Sequence, residues 1–200
     1  MKKKVLIIGS TGFGGLGLIE IILRHPELEV KQLVARQDIG KKINKVFPHL
    51  DGFCELPILS MDEVDYDGID IAFFSTPDQV GMTIIKKFFE KGIPVVDFSG
   101  DFRFKTPEQY EVYARNRELG SEHKSPEVLE HCVYGLPEIF ADDIKKARIV
   151  GNPGCFPIAM ILGMLPAIKE KVISSHVMVC DGKTGISGAG KYSGDSNLYP

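Results

Sequence analysis

The 200-residue chain has no tryptophan, few cysteines, no long apolar run and no excess of basic residues. Its four cysteines are scattered without a CxxC pair, which argues against a zinc site or a disulfide framework. The net charge of -3 argues against nucleic acid as the main partner. No apolar run approaches the roughly 18 residues of a membrane span, and the apolar stretch after the basic start is too short for a signal peptide. We therefore expect a cytoplasmic protein with reduced thiols and no metal.

Short apolar strands alternate with helices along the first three quarters of the chain. Continuous apolar strands between helices are typical of a parallel sheet that is covered on both faces. The pattern predicts helices at 16–23 and 79–91, with Gly92 ending the second, and an α/β fold of the Rossmann type, a doubly wound parallel sheet. The predicted strands are residues 5–8, 30–34, 69–74, 95–98 and 147–150.

The alternation of strands and helices ends near residue 151. Residues 177–180 predict a strand that is followed by a glycine-rich loop. We predict a nucleotide-binding Rossmann domain over 1–151 and the beginning of a second α+β catalytic, substrate and dimerisation domain over 152–200. One helix and one strand are too few for a core of their own, so we expect the second domain to be truncated.

A GxxGxxG pattern follows the first predicted strand and opens a helix. Glycine at such a turn lets the backbone approach a pyrophosphate, which sits on the helix N-terminus. A glycine turn used only for packing is the alternative. Ligands also bind beyond the ends of neighbouring strands, which adds the residues after strand 69–74. The predicted cofactor-binding residues here are Gly9, Ser10, Thr11, Gly12, Phe13, Gly14, Gly15, Ser75 and Pro77.

The end of the second predicted strand indicates which nucleotide binds. Chains specific for NAD usually carry an acid there, whereas this chain has Ala35 and Arg36, and Asp38 lies beyond the strand end. A guanidinium can pair bidentately with a 2′-phosphate, and no carboxylate at that position repels one. The sequence favours NADP over NAD, with a surface arginine as the alternative for Arg36.

A cysteine stands on a tight turn, residues 151–157, directly before an apolar helical run at 158–165. Pro157 suits a first helical position. The thiol of Cys155 would face the unpaired amides and partial positive charge of a helix N-terminus, which favours a thiolate. A nucleophile and a half-polar cysteine that merely follows a turn are both compatible with this segment.

Two further loops carry candidate ligand groups. Ser99 and Arg103 follow strand 95–98, where a loop should face the cleft beyond the sheet edge. Arg103 is a candidate for a substrate carboxylate or phosphate, and equally for a structural ion pair with Asp97 or Asp101. The loop 181–191 offers consecutive amides, a hydroxyl and two lysines, which predict an anion-binding nest, with a flexible connection as the alternative.

Together these segments resemble N-acetyl-γ-glutamyl-phosphate reductase, the NADP-dependent enzyme family of arginine biosynthesis. The resemblance implies that Cys155 is the catalytic nucleophile, with Asn152 and the Cys155 amide holding the oxyanion. It also implies that the nest contacts both NADP and substrate. The segments that carry it are residues 9–15, 24–27, 47–50, 95–103, 133–138, 152–157 and 183–191. The implied substrate-binding residues are Ser99, Arg103, Ser187, Gly188, Ala189 and Gly190, of which Ser187 and Gly188 also bind the cofactor.

The implied reaction is the NADPH-dependent reduction of N-acetyl-L-glutamyl 5-phosphate to N-acetyl-L-glutamate 5-semialdehyde through a cysteine thioester, in a homodimer or homotetramer. The family is longer and carries its catalytic histidine in a part absent here, so none of the five histidines is assigned. The alternatives are a reductase of aspartyl phosphate or of carrier-linked aminoadipyl phosphate, and an inactive NADP-binding fragment. A short-chain dehydrogenase is disfavoured because Tyr113 is followed by Arg117 where that class needs lysine.

Overall fold

A computed structural model describes residues 1–173 and 177–191. Within these residues seven strands form a single sheet in which every pairing is parallel, in the order β3-β2-β1-β4-β5-β7-β6. The strands are β1 (Lys3–Ile8), β2 (Leu28–Val34), β3 (Ile58–Leu59), β4 (Ile71–Phe74), β5 (Val95–Asp97), β6 (Cys132–Tyr134) and β7 (Ile149–Gly151). The α-helices are α1 (Phe13–Arg24), α2 (Ile43–Val46), α3 (Gly81–Glu90), α4 (Pro107–Asn116), α5 (Pro137–Ile144) and α6 (Cys155–Lys169).

Helices cover both faces of the sheet, which explains why its central strands are apolar without interruption. Successive side chains of a strand point to opposite faces. In β1, Val5 and Ile7 belong to a buried cluster that contains the inner face of α1. Leu6 and Ile8 belong to a second cluster, which contains the inner face of α3. The predicted α/β fold with a doubly wound parallel sheet is confirmed.

One predicted strand is wrong. Residues 177–180 form no strand among the residues that the structure describes, and Val177 and Val179 are 82% and 92% exposed. The apolar, β-branched run satisfies the local pattern, but a strand exists only where a neighbouring strand accepts its hydrogen bonds. Sequence reasoning also left out β3, β6, α2, α4 and α5, which are short or polar on one side.

Helix α6 begins at Cys155, three residues before the predicted apolar run, so Pro157 is its third residue rather than its first. None of its side chains is buried, although most of them are apolar. No helix in the described part of the chain combines the length and the apolar character that a membrane crossing requires.

Candidate active site

The register of the sheet brings four predicted segments to one edge. Ile8, Phe74, Asp97 and Gly151 are aligned on the neighbouring strands β1, β4, β5 and β7. The turns that follow these residues therefore emerge side by side at the carboxyl edge, where parallel sheets bind ligands. They contain the glycine turn, the residues after β4, the loop after β5 and the cysteine turn.

The glycine turn lies directly against the residue that follows β4. Gly9 has a φ of +86°, and a Cβ there would lie 2.1 Å from the backbone oxygen of Ser75. Both the backbone conformation and this contact require glycine. Gly15 is equally close to the turn itself, since its Cβ would lie 2.3 Å from the oxygen of Gly9. The predicted neighbours Gly9 and Ser75 are thus in contact.

The N-terminus of α1 is open to a ligand. Gly12 is its N-cap, no side chain caps the first turn, and that turn contains no acidic residue. The unpaired amides and the helix dipole therefore favour an anion at this point. Phe13, the first helical residue, is 47% exposed beside it.

Ser10, one of the predicted cofactor-binding residues, lies inside the fold. Its side chain is fully buried, and both its amide and its hydroxyl donate hydrogen bonds to the carbonyl of Val34, at 3.0 and 3.1 Å. The residue ties the glycine turn to the end of β2, so these donors are engaged within the fold. Thr11 is also buried, whereas Pro77 is exposed after β4.

Arg36 carries the positive charge that the sequence predicts at the end of β2. The side chain is exposed, and within the described residues no carboxylate lies at ion-pair distance from it. The nearby lysines are paired instead, Lys41 with Asp38 and Lys42 with Glu55, both at 2.8 Å. Arg36 is therefore the charge at this corner of the sheet that a phosphate can recruit.

Ser99, a predicted substrate-binding residue, is held within its own loop. It is buried, and its hydroxyl donates to Asp97 Oδ2 at 2.5 Å and accepts from the amide of Asp101 at 3.1 Å. These contacts fix the loop, and a contact of Ser99 with substrate stays a prediction. The Asp101 carboxylate in turn accepts from the amides of Gln79 and Met82, at 2.8 and 3.1 Å, and so caps the start of α3.

Asp97 is a functional candidate that sequence reasoning missed. Its side chain is fully buried, and Oδ1 has no hydrogen-bond partner among the described residues. Burial raises the pKa of Asp97 to about 8, against the opposing hydrogen bond from Ser99, and the charge of Asp101 adds to the rise. Asp97 is thus mainly a neutral acid at pH 7. An aspartate ending an otherwise apolar strand was the available signal.

Tyr113, the tyrosine that the short-chain dehydrogenase alternative would need, is hydrogen-bonded to Asp78. The hydroxyl of Tyr113 donates to Asp78 Oδ2 at 2.9 Å, and the other oxygen of Asp78 accepts from the amide of Gly100 at 2.7 Å. Burial, together with Asp78, raises the pKa of Tyr113 to about 12. A phenol held in this way is poorly suited to give up a proton near neutral pH.

Arg103 belongs to the loop after β5 and reaches the cysteine turn. Its Nε donates to the carbonyl of Asn152 and its Nη2 to the carbonyl of Phe98, both at 2.8 Å. The expected ion pair with Asp97 or Asp101 is not formed within the described residues. The carboxylate of Asp97 is bonded to Ser99 and that of Asp101 to backbone amides, whereas Arg103 donates to main-chain carbonyls.

The cysteine turn is held against the centre of the sheet. The amide of Asn152 donates to the carbonyl of Asp97 at 2.7 Å, and a Cβ on Gly151 would lie 2.1 Å from the oxygen of Phe102. Cys155 is exposed and is the first residue of α6, with Gly154 as N-cap and no acid in the first turn. The predicted thiol at a helix N-terminus is therefore present.

The side chain of Asn152 is turned toward its own neighbour. Its Nδ2 donates to the carbonyl of Pro153 at 3.3 Å, a long and local hydrogen bond. The Nδ2 group carries two N–H donors, so the second can contact an oxyanion while this bond is kept.

The predicted anion nest meets the glycine turn. Residues Ile186–Ala189 form an exposed 3₁₀ turn, and Gly190 follows with a φ of +92°. The ammonium of Lys191 donates to the carbonyl of Thr11 at 3.5 Å and lies 4.6 Å from the ring centroid of Phe47. The loop that carries Ser187 and Gly188 thereby lies beside the predicted pyrophosphate site.

No histidine in the described part of the chain contacts Cys155. His123 is buried against the Asp101 carbonyl at 3.1 Å, and burial lowers its pKa. His176 lies outside the described residues. Likewise, no metal-binding group of three His, Cys, Asp or Glu side chains occurs within ranges 1–173 and 177–191.

Comparison with family models gives two matches. Residues 4–147 match the model of the semialdehyde dehydrogenase NAD binding domain, and residues 155–200 match that of the semialdehyde dehydrogenase dimerisation domain.

Curated relatives are similar along nearly the whole chain. A protein of Laribacter hongkongensis (strain HLHK9), named N-acetyl-gamma-glutamyl-phosphate reductase, is 37% identical over 196 residues, 98% of this chain and 56% of the relative. One of the same name from Thiobacillus denitrificans (strain ATCC 25259 / T1) is 37% identical over 188 residues, 94% of this chain and 54% of the relative. The chain thus spans about half the length of these relatives.

Solved structures share the fold at lower identity. Aspartate semialdehyde dehydrogenase II of Vibrio cholerae, complexed with ASA, superposes with a TM-score of 0.61 at 19% identity, over 84% of this chain and 47% of that chain. Aspartate semialdehyde dehydrogenase of Candida albicans, with NADP, gives a TM-score of 0.56 at 19% identity, over 85% of this chain and 48% of that chain. At these identities the likeness concerns the fold alone.

Proposed function

The chain belongs to the semialdehyde dehydrogenase family, and from this premise we propose that it serves the NADPH-dependent reduction of N-acetyl-L-glutamyl 5-phosphate to N-acetyl-L-glutamate 5-semialdehyde, a step of arginine biosynthesis. The observation that carries the proposal is the exposed thiol of Cys155 at the first residue of α6, on the same sheet edge as the open glycine turn. The name shared by the curated relatives supports the glutamyl substrate.

The proposed cofactor site is built from the glycine turn and the end of β2. The open amides at Phe13 and Gly14 would hold the pyrophosphate, and Arg36 would pair with the 2′-phosphate that distinguishes NADP. The contact between Lys191 and Thr11 supports a role for Ser187 and Gly188 at the same cofactor. When bound, the nicotinamide supplies the hydride that reduces the acyl carbon.

The proposed chemistry takes place on Cys155. The thiolate attacks the acyl carbon, a C–S bond forms, and the C–O bond to phosphate breaks with release of inorganic phosphate. After reduction the C–S bond of the thiohemiacetal breaks, the oxyanion becomes the aldehyde, and the thiolate is regenerated. The amide of Cys155 and the side chain of Asn152 would hold the oxyanion, and removing one such donor typically costs roughly 3–4 kcal/mol.

The remaining assignments follow from this arrangement. We propose that residues 1–151 hold the cofactor, and that residues 152–200 begin a catalytic, substrate and dimerisation domain in a homo-oligomer. The substrate anion would be held by Arg103 and by the loop from Ser187 to Gly190, including Ala189. Ser99 would act through the loop it fixes.

A single substitution tests the nucleophile. In a complete enzyme, Cys155→Ser should leave NADPH affinity intact and abolish phosphate-dependent NADP reduction with the semialdehyde. The matched control is Cys180→Ser, which removes the other exposed thiol and should leave the rate unchanged. Wild-type activity in Cys155→Ser would refute the assignment.

Two measurements separate the alternatives. The same assay on the 200-residue chain distinguishes a reductase from a cofactor-binding module, because a module binds NADPH without turnover. A panel of glutamyl, aspartyl and carrier-linked aminoadipyl semialdehydes identifies the substrate tail. A preference for either of the last two would overturn the glutamyl assignment while leaving the thioester chemistry in place.

A further inference from the structure

Arg103, in the loop after β5, holds the cysteine turn beyond the point where the pairing of β5 with β7 ends. Its Nε and Nη2 donate at 2.8 Å to the carbonyls of Asn152 and Phe98, one in the cysteine turn and one in the loop after β5. We propose that Arg103 is a positioning residue that fixes the turn presenting Cys155. Its catalytic consequence rests on the proposed function, whereas its effect on the thiol does not.

The contact reaches the residue next to the nucleophile. Gly154 is the N-cap of α6, and a Cβ on it would lie 3.5 Å from Nη1 of Arg103. The guanidinium therefore lies against the backbone from Asn152 to Gly154. A shift of this backbone moves Cys155 and the first amides of α6 together.

The geometry favours arginine over lysine. A guanidinium offers five N–H donors in a rigid plane and can serve two carbonyls at once, whereas an ammonium is a point charge on a flexible stem. The two bonds of Arg103 are charge-assisted, which makes them stronger than neutral ones. A lysine at this position keeps the positive charge but cannot form the same pair of hydrogen bonds.

Main-chain carbonyls are the hydrogen-bond partners of the Arg103 guanidinium. Within the described residues no carboxylate forms an ion pair with it, and the Asp101 carboxylate is bonded to the amides of Gln79 and Met82. The other ties of the turn are main-chain bonds, from Asn152 to Asp97 and from Gly135 to Gly151. They hold the end of β7 but not the residues that follow Asn152.

The test measures the alkylation rate of Cys155 by iodoacetamide at fixed pH, read by mass spectrometry of its peptide in a Cys180→Ser background. Cys54 and Cys132 are buried and react slowly. Arg103→Met should lower the rate by about tenfold, since alkylation proceeds through the sulfur anion, which the amides at the α6 N-terminus stabilise only while the turn holds Cys155 beside them. The matched control is Arg115→Met, which removes an exposed arginine paired with Glu111.

Two further variants separate positioning from charge. Arg103→Lys should alkylate as slowly as Arg103→Met, and guanidinium ion added to Arg103→Ala should restore part of the rate. NADPH affinity, unchanged in each variant, reports that the Rossmann domain is folded. If Arg103→Met does not fold, Arg103→Lys and the guanidinium titration decide.

Wild-type alkylation in Arg103→Met, or full recovery in Arg103→Lys, overturns the proposal. Alkylation needs no acyl phosphate, so failure of the reductase assignment and failure of the positioning role are seen in different experiments.

Discussion

Helices α3 and α6 show how differently two parts of this chain are packed. In α3 the residues Met82, Ile85 and Phe88 are buried against the sheet, while lysines occupy other positions of the helix. In α6 apolar residues surround the helix, yet none is buried, and no described residue after Pro153 is buried either. A one-sided helix needs one partner surface, and an all-round apolar helix needs several. The described residues supply the one partner surface that α3 needs but not the several that α6 needs.

Truncation of a core side chain should have the largest effect. Phe88 packs edge-on against Phe74 and Tyr66, with ring centroids 5.0 and 5.2 Å apart, and is fully buried. Phe88→Ala should lower the free energy of unfolding by about 3–5 kcal/mol, measured by denaturant titration. Met160→Ala in α6, where the side chain is 45% exposed, should change it by less than about 0.5 kcal/mol. Equal losses would contradict the comparison.

A methyl group in the glycine turn should have the next largest effect. Gly9→Ala places a Cβ against the oxygen of Ser75 and also carries a positive φ, which alone costs about 1–2 kcal/mol. We expect a lower melting temperature and a loss of NADPH binding in a fluorescence titration. Gly52→Ala is the matched control, since Gly52 has a φ of +75° with no atom within 4 Å of its Cβ position. It should be destabilised modestly with NADPH affinity intact.

The neutral Asp97 predicts that the free energy of unfolding depends on pH. Its pKa rises from 3.8 to about 8 on folding, so the folded state binds more protons between these values. Stability from this group is complete below pH 3.8 and is lost as the pH rises through about 8, with a slope of at most about 1.4 kcal/mol per pH unit.

Asp97→Asn should reduce this decline, measured as the free energy of unfolding at pH 6 and pH 9. Asp101 contributes in the same direction, because burial raises its pKa too, so part of the slope remains. A variant that loses stability between the two pH values as steeply as the wild type would refute the neutral acid.

Two helical glycines give the smallest and most discriminating test. Gly17 in α1 and Gly163 in α6 each have open space where a Cβ would stand. Gly17→Ala should raise the free energy of unfolding by about 0.5–1 kcal/mol, because α1 folds with the core. Gly163→Ala should increase helical circular dichroism without moving the unfolding midpoint. A shifted midpoint for Gly163→Ala would show that α6 unfolds together with the sheet.

The sequence was informative where one local pattern had one structural solution. The apolar strands around β1 and the glycine turn predicted the sheet and the open end of α1, because periodicity and backbone freedom are local properties. What the sequence could not show is non-local. Ser10 and Ser99 are polar residues in loops predicted to bind ligands, and only the fold reveals that their hydroxyls donate to the carbonyl of Val34 and to Asp97. Whether 177–180 forms a strand depends on a neighbouring strand with which it can pair, and the local sequence does not identify that strand.

The two ends of the cysteine turn differ in their contact with solvent. Because the amide of Asn152 donates to Asp97 at the end of a central strand, we expect this amide to exchange with solvent slowly, since exchange requires that bond to open. Three residues later the thiol of Cys155 is exposed. Small molecules thus reach the thiol of Cys155 freely, while the hydrogen bond from Asn152 holds the start of the turn to the sheet. A single turn therefore combines a thiol that is open to reagents with a backbone that is tied to the sheet.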